Sequence, residues 1–345
     1  MTTLVGILAN GMATGVGLSS SASCAAIRCG INNFSETRFI SRSGDLIVGS
    51  EVPIEESWRG LTRLAKMAAS AVQECLDALP KTLRPDALVP LILCIAEEDR
   101  PGRIPGLGGP LILDIERELG RRFHPESSVV AQGRVGGAVA ILRAQKLLEE
   151  RRHPYVIVAG VDTYLTGPTL AAFDERHRIL TGGNSDGFLP GEAAAAVLLG
   201  LVDSDASAPV TCRGLGFARE SATIEAEQPL RGDGIVGAIR AALSAAGCGL
   251  DKVDHRIADL SGEQYRFKEA ALAVSRILRQ RKESFGIWHP ADCIGEVGAA
   301  ALPAMLGVLY HGARKRYLPG KMFLAHLSND DDKRAALILS AEGAI

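Results

Sequence analysis

An α/β fold made of two similar halves is what this sequence predicts, and three observations carry the prediction. Apolar stretches of strand length alternate along the 345 residues with longer segments whose apolar positions recur at helical spacing. The order helix, strand, polar loop, strand occurs twice, ending once in AAAAVLLG (193–200) and once in AALILS (335–340). Hydrophobic residues make up 47% of the chain, which supports a sizeable core and argues against disorder. The composition changes at LVDSDASAP, near residues 200–210, which gives an N-terminal half over 1–205 and a C-terminal half over 206–345.

TLVGILA (3–9) reads as the first strand. From Trp58 to Leu76, apolar residues fall at Leu61, Leu64, Ala65, Ala68, Val72, Cys75 and Leu76, the three-and-four spacing of a helix with one buried face. ALVPLILCIA (87–96) is continuously apolar, as a strand buried on both faces must be. The glycine-rich PGLGGP (105–110) lacks both GxGxxG and a phosphate-binding lysine, so it reads as a loop near a pocket mouth. Arg134–Glu150 is small and apolar for its first turns and charged at its end, so this helix starts inside the protein and emerges from it. YVIVAG (155–160) and AAAAVLLG are strands. VGAAALPAMLGVLYHGA (297–313), KMFLAHLS (321–328) and AALILS repeat the series as helix, strand, strand.

Lys plus Arg number 38 against 40 Asp plus Glu, a formal charge of −2, so no field favours nucleic acid or an anionic membrane. The basic runs RQRK (279–282) and RKR (314–316) each follow an apolar periodic segment and read as solvated helix ends. The N-terminus lacks a basic start and a continuous apolar core, and no run reaches membrane-spanning length, which leads to a cytoplasmic expectation. Seven cysteines, an odd count with no CxxC pair, read as reduced and mostly buried thiols. No disulfide frame, metal site or cofactor is expected from them.

Phe173, Leu180, Asp186, Gly187, Phe188, Gly191 and Glu192, ahead of a strand, resemble the Phe, Leu, Asp-Gly-Phe and Gly-Glu run of the thiolase superfamily, and within it the β-ketoacyl synthases. VGILANGMATGVGLSSSASCAAIRCGINNF is similar to that family's opening strand, turn and helix, and the likeness continues in pieces to residue 339. The resemblance implies a five-layered αβαβα fold, paired as a dimer through adjacent strands. Gly136, Gly137 and Ala138 suit its crowded centre.

The family's chemistry does not come with the resemblance. Its members attack an acyl thioester with a cysteine at the start of the buried helix, where unpaired N–H groups favour the thiolate. Alignment of VAILRAQKLL puts Arg134 at that place, and arginine is no acyl acceptor. A second alignment puts Gln132 there, as in relatives that decarboxylate malonyl groups or act as inactive partners, and it needs residues inserted within a helix. Counting back from Glu269, the first catalytic histidine becomes Asp259, which would repel a malonyl carboxylate. The second becomes Gly295 or Glu296, and the lysine five residues earlier becomes Pro290 or Ala291. The gating Gly-Phe-Gly-Gly loop falls on SNDDDKR, with Asp330 in place of its second phenylalanine.

Five elements lost together predict a pseudoenzyme on a thiolase scaffold, with no catalytic residues. Asp259 and Glu296 are expected to pair with Arg134 in the vestigial pocket, because a buried cation needs carboxylates. Asp186, Glu192 and Glu269 read as structural. His289 and Cys293 would share a helical face, but Pro290 argues against a helix spanning both. Cys293 therefore reads as a packing residue. Trp58, Trp288, Tyr164 and Phe188 are the aromatic candidates for an interface.

Two roles follow from the resemblance, alongside a third in which the chain is an acyltransferase of unrecognised mechanism. One is a scaffold similar to thiolase-like accessory proteins of type VI secretion, serving as adaptor or chaperone for an effector. The other is the inactive partner of a ketosynthase heterodimer, like a chain-length factor. The partners implied are a secretion effector or a second thiolase-like chain, in a homo- or heterodimer.

Overall fold

The computed structural model describes residues 4–83, 87–150, 152–204 and 208–341. The first half contains β1 (Leu4–Thr14), α1 (Ser20–Arg28), a hairpin of β2 (Ser35–Ile40) and β3 (Leu46–Gly49), α2 (Gly60–Asp77), β4 (Leu91–Ile95) and α3 (Gly109–Leu119). It continues with β5 (Ser128–Ala131), α4 (Gly136–Glu149), β6 (Val156–Thr163), α5 (Gly167–Glu175) and β7 (Glu192–Val202). The second half contains β8 (Val210–Arg219), α6 (Asp233–Ala245), β9 (His255–Ala258), α7 (Gln264–Ile277) and β10 (Ile287–Trp288). It ends with α8 (Ala291–Ile294), α9 (Ala301–Arg314), β11 (Met322–Ser328) and β12 (Lys333–Ala341).

Apart from the β2–β3 hairpin, the strands run β10-β9-β11-β12-β8-β1-β7-β6-β4-β5. Read outward from the β1–β8 contact, each half has the same order and the same senses. Two antiparallel pairings, β1 to β7 to β6 and β8 to β12 to β11, are followed by two parallel ones, β6 to β4 to β5 and β11 to β9 to β10. The expected join at 205/206 lies outside the described residues, between β7 and β8.

Layering follows from which faces are apolar. α2 and α3 cover the outer face of the first half through Leu64, Ala68, Val72, Leu111 and Ile115. α6 and α7 cover the second through Ile235, Ile239, Ala242 and Ala273. Between the halves lie α4 and α9, whose Ala138, Ile141, Leu302, Met305 and Leu309 pack with strand residues of both halves in one core. This is the five-layered αβαβα arrangement.

The helix read from Arg134 begins as a 3-10 turn over Gly133–Val135, and the α-helix proper starts at Gly136. Of the three small residues expected at the crowded centre, Gly137 is the constrained one, since a Cβ there would lie 2.8 Å from Leu302 Cβ; at Gly136 the nearest atom would be 3.6 Å away. Two interface candidates are core residues instead. Tyr164 and Phe188 are 1% and 0% exposed and form a triangle with Phe173 at ring separations of 5.3–5.6 Å. The 105–110 turn leads into α3, and its Leu107 packs on the α2–α3 core.

Candidate functional site

The C-terminal ends of β5, β6, β9 and β11 converge, and this is where α/β folds place their ligands. The ends of β5, β9 and β11 each lead into a segment that delivers a charged side chain. Past β5, Gly133 takes φ +53° and turns the chain so that Arg134 enters the interior. Past β9, Asp259, Ser261 and Glu263 precede α7, whose first turns carry Arg266 and Glu269 inward beside Glu263. Glu296 lies between α8 and α9, and Ser328–Asp330 follow β11.

Arg134, 3% exposed, is the centre of this arrangement. Its Nε and Nη2 donate to the two oxygens of Glu296 at 2.9 and 2.7 Å, a bidentate fork. Its Nη1 donates to Asp330 Oδ1 at 2.9 Å and to the Ser328 carbonyl at 3.3 Å. Asp330 also accepts from Arg178 at 2.7 and 3.1 Å and from Arg266. Glu263 closes the circuit, accepting from Arg178 at 2.6 and 2.9 Å and from Arg266 at 3.3 Å. Beside it, Arg334 pairs with Glu269 at 2.7 Å and donates to Tyr265 Oη at 3.0 Å.

Four buried guanidiniums thus meet Glu263, Glu269, Glu296 and Asp330, with Asp259 close enough to feel the charge of Arg266 and Arg134. Glu296 accepts further from the Gly298 N–H at 2.9 Å and from Ser261 Oγ at 2.7 Å. Burial alone would raise its pKa, but Arg134, Arg266 and the Ser261 hydroxyl hold it down at about 2. Burial likewise opposes ionisation of Asp330, yet Arg134, Arg178 and Arg266 keep its carboxyl well below the usual range. Asp259 differs: burial pushes it up to about 6 against the pull of Arg266 and Arg134.

Arg134 therefore takes Glu296, as expected from the sequence, but Asp330 and not Asp259 as its second carboxylate. Asp259 accepts from the Ser328 N–H at 2.9 Å, and this ties β9 to β11. The sequence places Asp330 in a solvated loop; its side chain is instead drawn inward by three arginines. Gln132 offers only its carbonyl, which accepts from Asn329 Nδ2 at 3.0 Å, while Asn329 Oδ1 accepts from the Val135 N–H at 3.1 Å. Gly295 has φ +73° and no side chain to offer.

The motif residues hold the frame. Asp186 accepts from the Gln264 N–H at the start of α7 at 2.8 Å. Gly187 and Gly191 lie against backbone, so a Cβ at either would fall within 2.5 Å of the chain. Glu192 pairs with Arg63 and accepts from the Val52 N–H at 2.9 Å, and Glu269 also accepts from Ser328 Oγ at 2.6 Å. Pro290 caps α8, leaving His289 outside the helix that carries Cys293; burial pushes the Cys293 thiol up, so it stays protonated.

Sequence reasoning misses Arg178, Glu263, Arg266 and Arg334. The 263, 266, 269 spacing signals one helix face, but a charged stripe ordinarily faces water.

Little space remains inside. Beside Asp259 and Glu296 a cavity of about 20 Å³ is left, room for one water. At the network's outer edge lie two surface clefts of about 570 and 350 Å³, the larger reaching Arg178 and Glu263 and the smaller Asp330, both lined by Arg176 and Glu225, which pair at 2.6 Å. The smaller carries Glu97, Asp99, Glu225, Asp330 and Asp331 against Arg100 and Arg176, an acidic lining.

No family model matches the chain, and no curated protein matches it. Solved structures do, and they give the class: the chain has the thiolase-like ketosynthase fold. It is similar to a ketosynthase in complex with its chain length factor from Xenorhabdus doucetiae, at 15% identity and a TM-score of 0.79, covering 98% of each chain. The ishigamide ketosynthase/chain length factor aligns at 18% identity and TM-score 0.78, over 99% of this chain and all of that one. A type II polyketide ketosynthase in complex with its acyl-carrier protein, bound to the hexaketide, aligns at 15% identity and TM-score 0.79, over 99% and 100%. At these identities the likeness is one of fold.

Proposed function

We propose that this chain is a pseudoenzyme, the non-catalytic member of a pair of ketosynthase-fold chains, acting beside an active ketosynthase as a chain length factor does. One observation carries the reading. Where strand ends converge in the fold, buried guanidiniums and carboxylates pair with one another, and the void left among them, beside Asp259 and Glu296, is about 20 Å³, against roughly 300–1,000 Å³ for ligand pockets. A buried network of this kind fixes five separate segments, around Arg134, Arg178, Arg266, Glu296 and Asp330, in one arrangement, which suits a chain that presents a rigid surface. The acidic lining of the outer cleft also disfavours an anionic acyl carrier at this chain's own mouth. Two of the similar structures pair a ketosynthase with a chain length factor, which supports a second thiolase-fold chain as partner.

The test is purification of the tagged chain from its native cell, with intact-mass measurement of what co-elutes. A second ketosynthase-fold chain that retains its cysteine nucleophile, at one-to-one stoichiometry, is the expected result. Recovery of a type VI secretion effector without such a chain would overturn the pairing in favour of the adaptor role.

A further inference from the structure

At the opposite end of the first half from the ion network, the loops leading into β5 and β6 bring together His124, Glu126 and His153. They are 29 residues apart in sequence at most, yet one donor atom from each lies within 4.8 Å of the others. Glu126 Oε2 is 2.6 Å from His153 Nε2 and 3.8 Å from His124 Nδ1. The two imidazole rings meet edge to face at 4.2 Å.

We propose that His124, Glu126 and His153 bind one zinc-class divalent cation, with the fourth position left to water. Two imidazoles and a carboxylate are a donor set that zinc takes at about 2.0–2.2 Å. Tetrahedral bonds of that length separate neighbouring donors by about 3.3–3.4 Å. The two contacts to Glu126 straddle that value, so small side-chain rotations close one and open the other. The Glu126 N–H donates to His124 Nδ1 at 3.2 Å, so that nitrogen carries a lone pair and is ready to ligate once this long bond is exchanged for the metal.

The surroundings favour a dication. Arg152 Nη1 holds the other carboxylate oxygen, Glu126 Oε1, at 2.6 Å and so orients Glu126 from behind. Arg152 also pairs with Glu150 Oε2 at 2.9 Å, so Glu126, Glu150 and Arg152 together carry one net negative charge. His153 is 9% exposed while His124 is half-buried, which leaves one open side. The His124 N–H donates to the Val89 carbonyl and the Ser127 hydroxyl accepts from the Leu91 N–H, so the ligand loop is already tied to the start of β4. A bound ion would fasten the approach to the edge strand β5 to that of β6.

The experiment is zinc titration of the full chain, freed of any affinity tag, by calorimetry and metal analysis, with cobalt substitution read by visible absorption. The expected result is one zinc per chain, a tetrahedral cobalt spectrum and a Tm that rises with zinc and falls back with chelator. His124→Ala and Glu126→Gln should each weaken binding at least about tenfold, and the exposed His177→Ala should leave it unchanged. His124 is the less buried histidine, so its removal tests the site even where His153→Ala disturbs folding. Absence of stoichiometric zinc binding, or binding that survives His124→Ala and Glu126→Gln, would overturn the site.

Discussion

At the scale of single residues, Arg134 shows what becomes of a charge brought into the interior of this fold. Four of its five N–H groups donate, to Glu296, Asp330 and a carbonyl, so the desolvation of each ion is offset only while all partners are present. Arg134→Ala should lower the urea-derived stability at pH 7 by about 3–5 kcal/mol, because the buried Glu296 loses its paired cation while Asp330 keeps only Arg178 and Arg266. An unchanged midpoint would contradict this.

Asp259 predicts a pH effect of the opposite sign to the usual acid. It ionises near pH 6 in the fold and at about 3.9 in the unfolded chain, so the folded state keeps a proton that the unfolded state has lost. Stability is fullest below about pH 4 on its account and falls as pH rises to 6. With Asp259 protonated, four arginines face four carboxylates. Asp259→Asn should therefore be more stable than the parent at pH 7, by about 1–3 kcal/mol, since a tenfold difference in proton affinity between the two states is worth roughly 1.4 kcal/mol. Equal or lower stability in denaturation at pH 7 would contradict it. Glu296, held at about 2, runs the other way and loses its contribution as pH falls below about 4.5. From sequence, the need of Arg134 for carboxylates was legible, and Glu296 with it. That Asp330 rather than Asp259 completes the pair was not, because SNDDDKR has the composition of a solvated loop and the arginines that draw it inward, Arg134, Arg178 and Arg266, are all distant in sequence.

Among elements, the packing of α4 on α9 governs the centre of the molecule. Gly137 lets the two helices approach, and a methyl group there would sit 2.8 Å from Leu302 Cβ. Gly137→Ala should cost about 1–3 kcal/mol by overpacking, whereas Gly136→Ala, whose nearest contact is 3.6 Å, should be neutral or mildly stabilising through helix propensity. Thermal unfolding of both variants separates these outcomes, and equal losses would contradict the assignment of the close approach to Gly137. Most strands and helices could be read from their periods, since β4, β7 and α9 are buried on every side and α2 on one stripe. α7 was not readable in the same way. Its charged stripe at 263, 266 and 269 faces inward because the site, not the solvent, supplies its partners. Tyr164 and Phe188 read as interface residues for a related reason, since nothing local shows that Phe173 completes an aromatic cluster around them.

For the whole molecule, duplication was legible in the repeated order of elements, and the matching strand order and senses of the two halves follow it. Of the site at the strand ends, only the pairing of Arg134 with Glu296 was legible. What fills it required the fold, because the network draws on segments from residue 134 to 334. Among the described residues no helix is long and apolar enough to cross a membrane. On the proposed pairing, any acyl chemistry belongs to the partner chain. The direct measurement is intact-mass spectrometry of the co-purified pair after incubation with an acyl-carrier thioester. The expected result is an acyl adduct on the partner's cysteine and none on this chain. An adduct on this chain, at Cys293 or any other residue, would contradict the account.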